Sequence, residues 1–239
     1  MEMTEDAQWL SRFAKAGDEA AFRELVARHF DLVYSVALRQ LNGDTHLARD
    51  VAQTVFTDLA RKAVSLSSNT VLSGWLYQAA RFSAAKTVRA ERRRRVREQE
   101  AFAMQDNTTE STPDWDQLRP VLDSAMGQLS SKDRNAVLLR YFKGEDFRNV
   151  GAALGLSADA AQKRVTRALN SLRTILIRRG ITLSASALAV LLTTSTVQSA
   201  QAGAALSIAS ASLAGASVAG QAGFTAWLLQ TFEIGRAHV

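Results

Sequence analysis

Six side chains on one stretch carry the most chemically directed pattern in this chain. Ser157, Gln162, Lys163, Arg164, Thr166 and Arg167 fall within FRNVGAALGLSADAAQKRVTRALNSL, residues 147–172. At helical spacing Ala161, Val165, Ala168 and Leu172 form one apolar stripe. Gln162, Lys163, Thr166 and Asn170 then face away from it, with Arg164 and Arg167 on the flanks. Amide and ammonium groups hydrogen-bond base edges in a major groove, and guanidinium groups at its lip meet phosphate. On this segment alone an ordinary helical hairpin with a glycine turn stays open as the bland reading.

A second set lies upstream. Arg89, Arg92, Arg93, Arg94 and Arg95 follow Arg81 and Lys86, on a segment that opens with Trp75 and Tyr77. Aromatic faces beside cations suit unstacked single-stranded bases; an arginine run by itself is as well a solvated flank. Nothing resembles a catalytic set. There is no Ser/His/Asp arrangement, no phosphate-cradling glycine loop and no metal-ligand spacing. With no cysteine and only His29, His46 and His238, disulfides, thiolate nucleophiles and Cys-ligated metals are excluded, and no cofactor is expected.

Helices must position these groups, since no useful strand-like alternation precedes residue 180. Phe22, Leu25, Val26, Phe30, Val33, Tyr34, Ala37 and Leu41 recur at steps of three and four, with Asp18 as N-cap and Asn42-Gly43 as the stop. A helix from Asp44 or Thr45 carries Leu47, Val51, Val55, Phe56 and Leu59. A polar loop over 65–73 precedes a long helix over 74–97, with Trp75, Leu76, Ala79, Phe82 and Val88 on its apolar side. QDNTTESTP (105–113) reads as a linker. Further helices are expected over 118–129, 132–142, 147–154 and 158–178. Gly155 supplies the positive backbone angle of the last turn, and Ser157 caps the helix after it.

Charge divides along the same lines. The net +6 resolves into −2 over residues 1–80, +6 over 81–99, −5 over 100–133, +7 over 134–180 and zero over 181–239. Two basic blocks held apart by an acidic stretch suggest a polyanion gripped at two places.

Three segments in order resemble a bacterial RNA polymerase sigma factor of the extracytoplasmic-function (ECF) type: LARDVAQTVFTDLARKA (47–63), LSGWLYQAARFSAAKTVRAERRRR (72–95) and LSSKDRNAVLLRYFKGEDFRNVGAALGLSADAAQKRVTRALNSLR (129–173). The resemblance spans residues 18–178. It implies an all-α chain, with sigma domain 2 over 1–99, a flexible linker over 100–117 and a sigma domain 4 helix-turn-helix over 118–180; 181–239 is left as a hydrophobic tail. It implies a non-enzymatic protein that directs polymerase core to promoters and assists melting. Its partners would be core polymerase, through the β′ clamp helices and β flap, promoter DNA, and in some cases an anti-sigma factor.

By position, Asp50, Gln53 and Phe56 would dock on polymerase. The loop over 66–72 would capture a flipped base of the minus-ten element. Trp75, Tyr77, Arg81, Lys86, Arg89, Arg92 and Arg93 would meet that element. Ser157, Gln162, Lys163, Arg164, Thr166 and Arg167 would read the minus-thirty-five element, and 105–113 would thread toward the RNA exit. The chain departs from the family pattern at Thr54, where an acidic residue is usual, and at Phe82 and Lys86, where Asn and Asp are common. Ala160 and Ala161 replace a frequent Thr-Val pair.

From Ile181 to Phe232 there is no charged side chain. Residues 181–197 approach a spanning length, although hydroxyls dilute them, and a second candidate runs over 204–232. A membrane contact through 181–232, interaction helices and a flexible tail are the competing expectations. The last seven residues, EIGRAHV, read like a translated sequencing adapter, so the native chain is expected to continue past Phe232. Glu2, Glu5 and Asp6 argue against a secretory signal. Two rival functions are a one-component helix-turn-helix regulator, which needs no core polymerase, and a membrane-anchored protein whose basic helices meet anionic lipid.

Overall fold

The computed structural model describes residues 4–66, 70–101, 115–181, 183–194 and 203–219. Among them the chain forms helices and no strand. The helices are α1 (Glu5–Ala16), α2 (Glu19–Gln40), α3 (Thr45–Lys62), α4 (Leu72–Ala101), α5 (Trp115–Gln128), α6 (Ser131–Val137), α7 (Phe147–Leu154), α8 (Ala158–Ile177), α9 (Ala185–Thr194) and α10 (Ala204–Ala219).

Local chemistry sets the ends. Asp18, Asp44, Ser130, Asp146 and Ser157 each accept a backbone N–H of the following turn, as Thr4 does for α1. Each such cap is worth about 1 kcal/mol. Asn42 and Gly43 take positive φ after α2, at 52° and 84°, and Gly155 takes 66° between α7 and α8. Helix α4 begins at Leu72, two residues before the expected start, because the N–H groups of Gly74 and Trp75 already bond the Val71 carbonyl.

Helix α1 had no counterpart in the sequence reading. Its Leu10 is buried, and Phe13 packs on Phe22 with ring centroids 4.7 Å apart. It is latched to α2 by Arg28, which pairs with Glu5 and with Asp6 at 3.4 Å.

The expected stripe of α2 is buried: Phe22, Leu25, Val26 and Val33 are fully inside, against Val55, Phe56 and Leu59 of α3 and Leu76 and Tyr77 of α4. In α4 the expected apolar side is met at Trp75, Leu76 and Ala79 and missed at Phe82 and Val88. Leu72, Leu76, Ala80 and Ala84 face the core, whereas Phe82 is 68% exposed and Val88 43% exposed. The i, i+4 row beginning at Leu72 wins because it lies continuously against α2 and α3, with which α4 packs.

A smaller core of Ala136, Leu139, Val150, Ala161 and Val165 holds α6, α7 and α8 together. Between α6 and α7 the chain widens into a π-turn, Leu138–Phe142, closed by the Lys143 N–H on the Leu138 carbonyl at 3.0 Å. This turn aims Phe142 at the first unit.

Among the described residues the two units pack together around a buried polar cluster. Arg39 of α2 donates to both carboxylate oxygens of Asp123 on α5, at 2.8 and 3.0 Å, and the Tyr77 hydroxyl donates to Asp123 Oδ1 at 2.9 Å. Phe142 meets the Tyr77 ring edge-on at 6.3 Å and lies under the Arg39 guanidinium. Burial opposes the charge of Arg39, but the Asp123 carboxylate outweighs it and holds the guanidinium protonated; burial raises the Tyr77 phenol well above its usual value. The expected linker over 105–113 lies outside the described residues.

The described part of the tail gives the membrane expectation no support. Among the described residues no helix is long and apolar enough to cross a membrane. Helix α9 packs on α8 and the π-turn with Leu188 and Leu192 fully buried, and α10 packs on α3 and α2. The remainder of the second candidate and residues 233–239 lie outside the described residues.

Candidate functional site

Helix α8 presents its free face as expected. Ala161, Val165, Ala168 and Leu172 are buried, and Gln162, Lys163, Thr166, Arg167 and Asn170 line a shallow exposed depression with Asp159. The turn before α8 is tightly built. A Cβ on Gly151 of α7 would stand 2.7 Å from the Leu156 carbonyl oxygen, so only glycine lets the two helices close to this distance.

Three side chains of the expected set are already engaged. Ser157 accepts the Ala160 N–H as the helix cap. Arg164 is half-buried and pairs with Asp133 of α6 at 3.3 Å, which turns it toward the protein. Thr166 donates its hydroxyl to the Gln162 carbonyl. The groups left pointing outward with donors available are Gln162, Lys163 and Arg167.

On α4 the expected set divides. Lys86, Arg89, Arg92 and Arg93 are exposed. Tyr77 is fully buried, a correction: its ring fills the seam between the units and its hydroxyl is committed to Asp123. Trp75 is half-buried against the main core. Arg81 is half-buried, donates to Gln78 and rests its guanidinium where a Gly127 side chain would otherwise stand. Phe82, assigned to the core from the sequence, is the exposed aromatic of this helix. With Lys86, Arg89 and Arg93 it forms one face at steps of four, three and four. The signal that could have found it was its helical position, about 120 degrees from the middle of the Leu72, Leu76, Ala80 row. The loop expected to capture a flipped base is described only at Leu66 and at 70–72, and the side chains of Arg94 and Arg95 also lie outside the described residues.

On α3, Asp50, Gln53 and Thr54 are exposed and, with Thr57, Asp58 and Arg61, line a shallow groove. Phe56 is fully buried and stacks on Phe30 at 6.4 Å, so it supports the surface from beneath instead of forming it. The reason is its place beside Val55 and Leu59 on the inward row of the helix. Among the described residues no group of His, Asp or Glu is arranged to hold a metal ion.

Two family models match the chain. "Sigma-70 region 2" covers residues 25–94 and "Sigma-70, region 4" covers residues 120–172. The chain is 30% identical over 172 residues to the RNA polymerase sigma factor CarQ of Myxococcus xanthus, spanning 70% of this chain and 95% of that one. It is 30% identical over 175 residues to the ECF RNA polymerase sigma factor SigE of Mycolicibacterium smegmatis, spanning 70% of this chain and 66% of that one. A solved structure of the sigma factor RpoE with the anti-sigma factor NepR from Bartonella quintana is 22% identical, covering 64% of this chain and 94% of that one, with a TM-score of 0.30.

Proposed function

The chain belongs to the ECF-type RNA polymerase sigma factors and directs polymerase to promoters, and from that premise we propose how its surfaces divide the work. The face of α3 around Asp50, Gln53 and Thr54 docks on the clamp helices of core polymerase. The α4 face of Phe82, Lys86, Arg89 and Arg93, with Arg92 at its edge, meets the minus-ten element. Phe82 offers a stacking surface to an unstacked base, and the cations meet the flanking phosphates. Gln162, Lys163 and Arg167 of α8 enter the major groove at the minus-thirty-five element. Nucleotide chemistry belongs to the polymerase. Residues 1–99 and 118–180 act as the two units.

One observation carries this reading: a glycine-turned helix pair whose second helix buries a full apolar stripe and turns Gln162, Lys163 and Arg167 to solvent. The packed arrangement of the two units then has a consequence. Elements near minus ten and minus thirty-five are about 25 base pairs apart, roughly 80 Å of duplex at about 3.4 Å per base pair. The interface of Arg39, Asp123, Tyr77 and Phe142 brings α4 against α6 and so must part before both elements are held at once. An anti-sigma factor is a further partner this reading admits. Run-off transcription with core polymerase and genomic fragments tests the reading. A promoter-dependent transcript is expected, and none from any fragment refutes it.

A further inference from the structure

Helix α10 lies along α3 and α2. Its inward row is Ile208, Ala209 and Ser212, of which Ala209 and Ser212 have no exposed surface. Ser212 donates its hydroxyl to the Gln53 carbonyl at 3.3 Å, and Arg61 donates to the Gly215 carbonyl at 2.8 Å. A Cβ on Gly215 would stand 3.6 Å from both Cγ2 and Oγ1 of Thr57. These contacts fall on Gln53, Thr57 and Arg61, which also line the exposed groove of α3.

We propose that α10 is an intramolecular cover for the polymerase-docking face of α3, so that the chain carries its own competitor for core polymerase. This rests on the docking role assigned above to α3. The physical argument is exclusion. Packed helices lie about 8–10 Å apart axis to axis, so a clamp helix seated on Gln53 and Thr57 needs the volume that α10 fills. The chemistry of α10 suits a reversible cover. It has no charge to desolvate, its small residues permit close approach, and its Gly215 carbonyl accepts a charge-assisted hydrogen bond from Arg61. Being part of the same chain, it competes at an effective concentration of order millimolar. Helix α9, buried on α8, anchors the tail at the second unit, and Arg179 just before it donates to the Val121 carbonyl and to Ser124 on α5. A docked tail therefore spans both units and favours the closed arrangement.

The chain has no cysteine, so the full-length Thr57→Cys/Gly215→Cys variant forms a single addressable pair. Both γ atoms of Thr57 stand 3.6 Å from a Cβ on Gly215, which puts the two Cβ atoms roughly 4 Å apart, inside the range of about 3.5–4.5 Å spanned by disulfides. Binding to core polymerase is measured by fluorescence anisotropy for this variant, oxidised and reduced, and for full-length Ser212→Arg, which drives a large charge into the α10–α3 contact. Oxidation is expected to weaken binding at least about tenfold relative to the reduced form, and Ser212→Arg to bind more tightly than the unaltered chain. Equal affinity of the oxidised and reduced forms overturns the proposal, as does failure of the disulfide to form. Because those two states share one sequence, the outcome does not depend on how the arginine variant folds. If no form binds core polymerase, Ser212→Arg included, the docking role of α3 fails and the cover falls with it.

Discussion

Asp123→Leu tests the seam between the two units. The carboxylate accepts two hydrogen bonds from Arg39 and one from Tyr77, and both it and the arginine are almost wholly buried. Removing one partner of such a pair typically costs about 3–5 kcal/mol, because the charge left behind loses its compensation in a dry site. For a chain of this size that corresponds to a fall in melting temperature of roughly 6–20 °C, at 2–4 °C per kcal/mol. The seam can also part, letting water reach the guanidinium, and the loss then stops at the free energy that held the units together. The two outcomes are separated by scanning calorimetry and small-angle scattering on the same samples. Either the melting temperature falls by that amount, or the radius of gyration rises with a smaller fall. The triple variant Arg39→Met/Tyr77→Phe/Asp123→Leu, which removes the charge and the stranded hydroxyl together, is expected to recover most of the stability. If Asp123→Leu melts within about 2 °C of the unaltered chain at an unchanged radius of gyration, the reasoning about this cluster is wrong.

Gly151→Ala places a Cβ on backbone atoms of Leu156 and Ser157 and should cost about 1–3 kcal/mol in urea unfolding, with promoter binding lost in parallel; a cost under a few tenths would refute the tight-turn argument. His29 is buried against Asp6 at 2.9 Å, and burial lowers its pKa below 6.5. The unfolded chain therefore takes a proton at 6.5 that the folded chain refuses, so stability falls as the pH drops below 6.5, by up to about 1.4 kcal/mol per unit. His29→Gln should flatten that slope between pH 6.5 and 5.5 in thermal melts. Phe82→Ala should reduce open-complex formation, read by permanganate reactivity, by about tenfold, from a stacking contribution of about 1–3 kcal/mol, while leaving core binding unchanged; equal melting refutes the stacking role. Lys163→Ala should shift base preference at the upstream element, whereas Arg167→Ala should weaken all promoters alike and reduce the salt slope by about one; identical effects across promoters would refute that division.

The helices and their caps were legible because they depend on groups within four residues. Asp18, Asp44, Gly155 and Ser157 act where the sequence placed them, and the stripe of Ala161, Val165, Ala168 and Leu172 is buried as spaced. The family was legible too, since three motifs in order are specific. What failed were assignments of one face among several. Periodicity identifies an apolar row but not the partner that covers it, so it puts Phe82 inside, while the resemblance, carried over by position, gives surface roles to Phe56 and Tyr77. Tyr77 is buried because Asp123, 46 residues away, accepts its hydroxyl, and Arg39 is neutralised by the same carboxylate 84 residues away. The uncharged tail shows the limit most clearly. Its composition allowed a membrane, a partner or solvent, and only the fold supplied the surface of α3, 154 residues back from Gly215, on which α10 rests. Local sequence determined which helices form; contacts between distant segments decided which of their faces stay exposed.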